Sequence, residues 1–129
     1  MNFSTKTEYG LRAISRLDKS GKKPVSLALI AKKESLSLAY LERLFALLKK
    51  AGYIKSSLGV NGGYTLAKPA NKINALEIVE ALEGKLLPYA CVGDLRCEHK
   101  GSCKIHPVWD KLYLEVRKTL KNIKLNSIM

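Results

Sequence analysis

The segment SLSLAYLERLFALLKKAGYIKSSLGVNGGYTLA, residues 35–67, changes its hydrophobic period halfway along. Leu41, Leu44, Phe45 and Leu48 stand three and four apart, which predicts a helix over residues 38–50 with one apolar face. Ser35-Leu36-Ser37 reads as the polar turn before it, and Gly52 as a left-handed residue that closes it. From Tyr53 the period falls to two. Residues 53–57 and 63–67 then read as two strands, joined through Leu58-Gly59-Val60-Asn61-Gly62, whose Asn-Gly pair signals a tight turn.

Towards the N-terminus, Thr5 and Glu8 have the spacing of a capping box, and Leu11, Ile14 and Leu17 recur on one face. That helix is expected to end at Lys19-Ser20-Gly21. Ser26 suits the N-cap of a brief second helix through Leu27, Ile30 and Ala31. Two short helices, a third, and a glycine-tipped hairpin are the order of a winged helix-turn-helix. The expected fold class is therefore mainly α with a small β-hairpin wing.

Towards the C-terminus, Asn74 and Glu77 form a second capping box, with Ile73 and Ile78 as its hydrophobic staple. This helix carries Leu76, Val79 and Leu82 and should stop at Gly84. Pro107 suits the first position of a final helix. Trp109, Leu112, Val116, Leu120 and Ile123 form its apolar stripe, with Lys111, Arg117, Lys118 and Lys121 off it. So clean a seam suits pairing with a second copy of the chain, since two-fold dimers are the commonest oligomers. The expected organisation is a DNA-binding domain over residues 1–70, a connecting helix and cysteine-rich loop over 71–106, and a long dimerisation helix over 107–129.

The 129 residues carry 23 Lys and Arg against 11 Asp and Glu, a net charge of +12 that favours a polyanionic partner, nucleic acid foremost. No run approaches the roughly 18 apolar residues of a membrane span, so a soluble, cytoplasmic protein with no membrane partner is expected. There is no Ser/His/Asp set, no phosphate-binding Gly-Lys-Ser/Thr loop and no paired acids, so the chain does not read as an enzyme.

All three cysteines, Cys91, Cys97 and Cys103, fall in one loop with five residues between successive pairs. Both histidines, His99 and His106, lie there too. An odd number of thiols without a secretory leader argues against a disulfide framework. Three thiolates and an imidazole could hold structural zinc, but zinc knuckles use shorter gaps. An iron–sulfur cluster is larger and suits ligands spread along a wrapping loop. The residues alone leave zinc and cluster both open.

Leu38-Ala39-Tyr40-Leu41-Glu42-Arg43-Leu44-Phe45, the wing ending Asn61-Gly62-Gly63-Tyr64, and the cysteine spacing with His106 resemble the Rrf2 family of bacterial transcription regulators. The likeness covers essentially the whole chain and is greatest to its IscR-like branch, regulators of iron–sulfur cluster assembly. It implies a homodimer that binds a palindromic double-stranded DNA operator. It also implies a two-iron–two-sulfur cluster held by Cys91, Cys97, Cys103 and His106. In the NsrR-like branch of nitric-oxide sensors a four-iron cluster takes an acidic ligand from the partner subunit, and the matching position is Glu8. His106 is favoured as the fourth ligand, because the Cys103–His106 spacing is kept.

The expectation is thus a cluster-sensing repressor of cluster-biogenesis genes. A nitric-oxide or redox sensor is the alternative within the class. An electron-transfer or cluster-carrier protein is the alternative outside it, which would need no helix-turn-helix.

In such a regulator the third helix enters the major groove, with Ser37, Ala39, Tyr40 and Arg43 nearest the bases and phosphates. Glu42, unfavourable beside phosphate, would act as a sequence filter by accepting from a cytosine amine. Thr5, Lys6 and Ser26 are expected clamps on the backbone, and Ser56, Ser57 and Gly59 let the wing come close. One departure stands out. The family's wing tip commonly has Arg-Gly-Pro, where this chain has Leu58-Gly59-Val60.

Overall fold

The computed structural model describes residues 2–87 and 103–129. Helices α1 (Thr5–Ile14), α2 (Leu27–Glu34) and α3 (Leu38–Lys50) are followed by strands β1 (Ile54–Ser57) and β2 (Gly63–Leu66). After a 3₁₀ turn at Ala70–Lys72 come α4 (Ala75–Glu83) and α5 (His106–Lys121), and a second 3₁₀ turn at Leu125–Ser127. No helix among the described residues is long and apolar enough to cross a membrane.

The core is one cluster. Ala13 and Ile14 of α1, Ile30 of α2, Leu41, Leu44, Phe45 and Leu48 of α3, and Ile78 and Leu82 of α4 meet in it. The apolar stripe expected of residues 38–50 is the buried face of α3. The α4 capping box forms as expected: Asn74 Oδ1 accepts from Glu77 N–H at 3.0 Å, and Asn74 N–H donates to Glu77 Oε2 at 3.2 Å. Ile73 and Ile78 are both fully buried. Gly84 takes φ 83° and ends the helix.

A carboxylate joins the first two helices. Glu34 accepts from Arg12 Nε at 3.0 Å and from Arg16 Nε, and its side chain is only 10% exposed. The hydrogen bonds from Arg16 and then Arg12 hold its carboxyl below the ordinary carboxylate value.

The wing is mounted by backbone. Its strands pair antiparallel, with Ile54 opposite Leu66 and Ser57 opposite Gly63. Val25, just before α2, adds one bridge: Val25 N–H donates to the Tyr64 carbonyl at 3.0 Å, and Tyr64 N–H to the Val25 carbonyl at 2.9 Å. The Tyr64 ring meets Phe45 of α3 edge-on, centroids 5.1 Å apart. Gly63 has φ 154°, and a Cβ there would lie 2.4 Å from the Val25 carbonyl oxygen. Only glycine lets the wing approach so closely.

Four expectations are corrected. Ser4, not Thr5, is the N-cap of α1: Ser4 is extended and its side chain accepts from Lys6 N–H, which leaves Thr5 as the first helical residue. Glu8 is released from a capping role and pairs with Arg12 one turn on, at 3.5 Å. Helix α1 ends at Ile14 rather than near Gly21, and Leu17 is buried from the turn that follows. The hairpin turn is closed by Gly62 N–H on the Gly59 carbonyl at 3.0 Å, with the positive φ at Gly59 rather than within Asn61-Gly62.

The last correction concerns the C-terminus. Helix α5 does not run to residue 129 but stops at Lys121, which puts Ile123 off the helix. The chain then doubles back on the entry to α4. Ala75 N–H donates to the Ile123 carbonyl at 2.8 Å, Leu125 N–H to the Ile73 carbonyl at 2.7 Å, and Leu125 is 1% exposed within the common core. A buried leucine at residue 125 stabilises more by joining that core than by extending an exposed helix.

Replacing Gly63 by alanine should destabilise the protein by about 2 kcal/mol or more, from strain and clash together. Gly52→Ala, at φ 88° with open space around the glycine, should cost visibly less in the same urea titration. Leu125→Ala should cost about 2–5 kcal/mol, the range of a buried leucine, where a frayed tail would give nothing.

A folded-state pKa held low stabilises above the ordinary carboxyl value of 4.5, and that contribution is lost as pH falls through the folded value. Thermal melts from about pH 6 to about pH 3 should therefore fall less steeply for Glu34→Gln than for the native chain.

Candidate functional site

Helix α3 presents a polar outer face. Ser37 caps it by accepting from Tyr40 N–H at 3.3 Å, and Ala39, Glu42 and Arg43 stand exposed beyond the buried stripe. Lys49 and Lys50 fall in its last turn, where cations complement the helix dipole. Lys49 Nζ donates to Ser56 Oγ at 2.7 Å and so ties β1 beside the end of α3.

Tyr40 is half-buried, packed edge-on against Tyr9 with centroids 6.0 Å apart. Its hydroxyl lies 3.2 Å from Thr5 Oγ1. Thr5 at the head of α1 is thereby linked to the outer face of α3. Thr5, Lys6, Ser26, Ser37, Ala39, Glu42, Arg43, Ser56, Ser57 and Gly59 are all exposed. Ser26 is the N-cap residue of α2 but makes no side-chain cap bond, so its hydroxyl is left to other partners.

Sequence reading missed Glu83, the last residue of α4. Its Oε1 accepts from Ser4 N–H at 3.1 Å, Ser4 Oγ, Thr7 N–H at 3.2 Å and Thr7 Oγ1 at 2.8 Å. A carboxylate here complements the positive end of the α1 dipole. Burial pushes the Glu83 carboxyl up, but the hydrogen bonds from Ser4 and Thr7 outweigh it and leave the pKa below the ordinary value. Ser4 and Thr7 bracket a helix start, yet nothing local pairs them with a carboxylate 79 and 76 residues on.

Of the four expected cluster ligands, Cys91 and Cys97 lie outside the described residues, as does His99. Cys103 is a free, half-buried thiol. His106 opens α5, with Pro107 next to it, and is 7% exposed. Its Nδ1 is buried and without a hydrogen-bond partner among the described residues. Leaving such a nitrogen unsatisfied costs about 1–3 kcal/mol, so an acceptor of its lone pair or proton is called for. An imidazole in that state suits a metal ligand. Among the described residues no three ligating side chains converge. Glu8, the alternative ligand, has a side chain 62% exposed and shared with Arg12.

Helix α5 fully buries His106 alone. Trp109, Val116 and Leu120 are half-buried, Leu112 is 42% exposed, and Val108 and Ile105 are each 60% exposed. Beside them Phe3, Val116, Thr119 and Leu120 line a shallow apolar cavity of about 220 Å³. Arg117 pairs with Glu80 and crosses to α4. Helix α5 is thus tethered to α4 through Arg117, while Leu112 of the stripe stays exposed.

The profile of the Rrf2 family, described as iron-dependent transcriptional regulators, matches residues 3–129. An HTH-type transcriptional regulator of Neisseria meningitidis is 34% identical over 130 residues, spanning 100% of this chain and 88% of its own. Among solved structures, CymR, the global cysteine regulator of B. subtilis, superposes with a TM-score of 0.82 at 33% identity, over 99% of this chain and 95% of that one. IscR of T. potens gives 0.74 at 36% identity, over 97% of this chain and 83% of that one. The helices, the paired wing and the exposed face of α3 are those of a winged-helix DNA-binding regulator rather than an enzyme, and the chain belongs to the Rrf2 family.

Proposed function

We propose that this regulator senses an iron–sulfur cluster held by Cys91, Cys97, Cys103 and His106, of the two-iron–two-sulfur type, and represses cluster-biogenesis genes through a palindromic operator as a homodimer. The observation that carries the reading is the Nδ1 of His106, buried and unpartnered among the described residues, three residues after Cys103. The likeness to IscR supports it, while CymR, a cysteine regulator, shares the fold. When bound, the cluster would supply a redox-labile, oxygen-sensitive tie among the loop's thiolates.

The chain's own residues then transmit the state of the loop. The loop leaves α4 directly after Glu83 and enters α5 at His106. Glu83 grips Ser4 and Thr7 at the head of α1, and Thr5 between them meets Tyr40 on α3. A shift at the loop's first residues therefore bears on α1 and, through Thr5, on the face of α3. Arg43 would contact guanine or phosphate, with Glu42 as a sequence filter. Thr5, Lys6 and Ser26 would clamp the backbone beside Ser37, Ala39 and Tyr40. Ser56, Ser57 and Gly59 would bring the wing to its edge. Trp109, Leu112, Val116 and Leu120 would meet their counterparts in the second copy, with Ile123 at the margin.

Anaerobically purified native protein should be coloured and contain iron, and Cys97→Ala should lose both and change its affinity for duplex DNA selected by the native protein. Identical iron content and affinity in the two would sink the reading. His106→Leu should lose iron too. In iron-free protein the same substitution should leave urea stability unchanged or raised, because it removes an unsatisfied buried nitrogen.

A further inference from the structure

Leu58 and Val60, on either side of Gly59 at the wing tip, are 100% and 105% exposed. No other large hydrophobic side chain among the described residues stands so far out; those of α5 are at most 60% exposed. Neither residue belongs to the core, and neither can fold back on it. The base of the hairpin is fixed by its strand pairs, by the Val25–Tyr64 bridge and by Tyr64 on Phe45. Gly59, at φ 104°, shapes the tip that holds them out. The rest of the outer wing is polar, with Lys55, Ser56, Ser57 and Asn61 exposed.

The tip continues the face that family membership assigns to DNA. Lys49 of α3 bonds Ser56 of β1, so the wing moves with the helix that reads the duplex. With α3 in the major groove, a wing so mounted falls towards the adjoining minor groove. Lys49, bonded to Ser56, and Lys55 of β1 are exposed on the wing's side and supply the charge for phosphate, while the tip itself carries none. An uncharged tip cannot exploit a narrow minor groove as arginine does. Leucine and its like are instead the side chains that wedge between base steps, unstack them and bend the duplex away from the protein's insertion point.

We propose that Leu58 and Val60 form an apolar wedge which enters the minor groove and bends the operator, so that the wing selects flexible pyrimidine–purine steps by deformability instead of by charge. This rests on the chain's binding to duplex DNA, and not on the cluster, so the wedge and the cluster reading can fail separately.

The test uses the full chain and a duplex of about 40 base pairs, selected by the native protein from a random pool and labelled at its ends with a fluorescent donor and acceptor. Native protein should shorten the end-to-end distance on binding. The pair Leu58→Ser, Val60→Ser should bind about tenfold more weakly and leave the duplex nearly straight, since the bend can no longer form. Leu58→Met should keep the bend. Leu58→Lys should lose it while making the fall of affinity with salt steeper.

An unbent duplex with native protein, or equal bend and affinity in the serine pair, would overturn the proposal. So would serine variants that bind and bend normally but fail to regulate transcription by purified RNA polymerase, because the tip would then face a protein. Absence of any selected duplex would overturn DNA binding and the wedge together.

Discussion

Two backbone hydrogen bonds, between Val25 and Tyr64, decide where the wing stands. They exist because residue 63 has no Cβ to strike the Val25 carbonyl, and they turn a hairpin of eight paired residues into an extension of the helical core. An isolated two-stranded hairpin is marginal in water. Here Tyr64 carries the connection inward to Phe45, and Lys49 carries it sideways to Ser56. The outer face of α3 and the wing therefore form one continuous surface, held together through Lys49 and Tyr64.

A second constraint crosses the molecule. Glu83 satisfies donors at the start of α1 that a helix cannot satisfy by itself. The same carboxylate sits where α4 gives way to the cysteine loop. One group thus serves both the structural need of a helix end and the coupling of two distant segments. Glu34 is its counterpart between α1 and α2, held by Arg12 and Arg16. Both ends of α1 are thus fastened to neighbouring elements by half-buried carboxylates.

The elements governed by local chemistry were legible from the residues. The apolar face of α3, the Asn74–Glu77 box and the stop at Gly84 all depend on residues within four positions of one another, whereas the Ser37 cap emerged only with the structure. Thr5 and Glu8 imitate such a box, but the competition between neighbouring hydroxyls was decided by Glu83, far away in sequence, which binds Ser4. The same holds for the hairpin, where Asn61-Gly62 has the composition of a tight turn while the fit of Gly62 and Gly63 against backbone oxygens set its true shape. Of the site, the exposed face of α3 followed from period alone. The unsatisfied Nδ1 of His106 could be found only from packing.

The return of residues 122–129 changes what α5 can do. Sixteen residues of helix span about 24 Å at 1.5 Å per residue, and the far end is pinned beside α4 through Ile73, Ala75 and Leu125. The helix is therefore a beam with its fulcrum at the tail and the buried His106 at its head. A tilt of about 5° at the fulcrum would carry that end sideways by about 2 Å, on the same helical dimensions. Displacement is thus largest at the end where the cysteine loop joins, and smallest where the beam is nailed to the core.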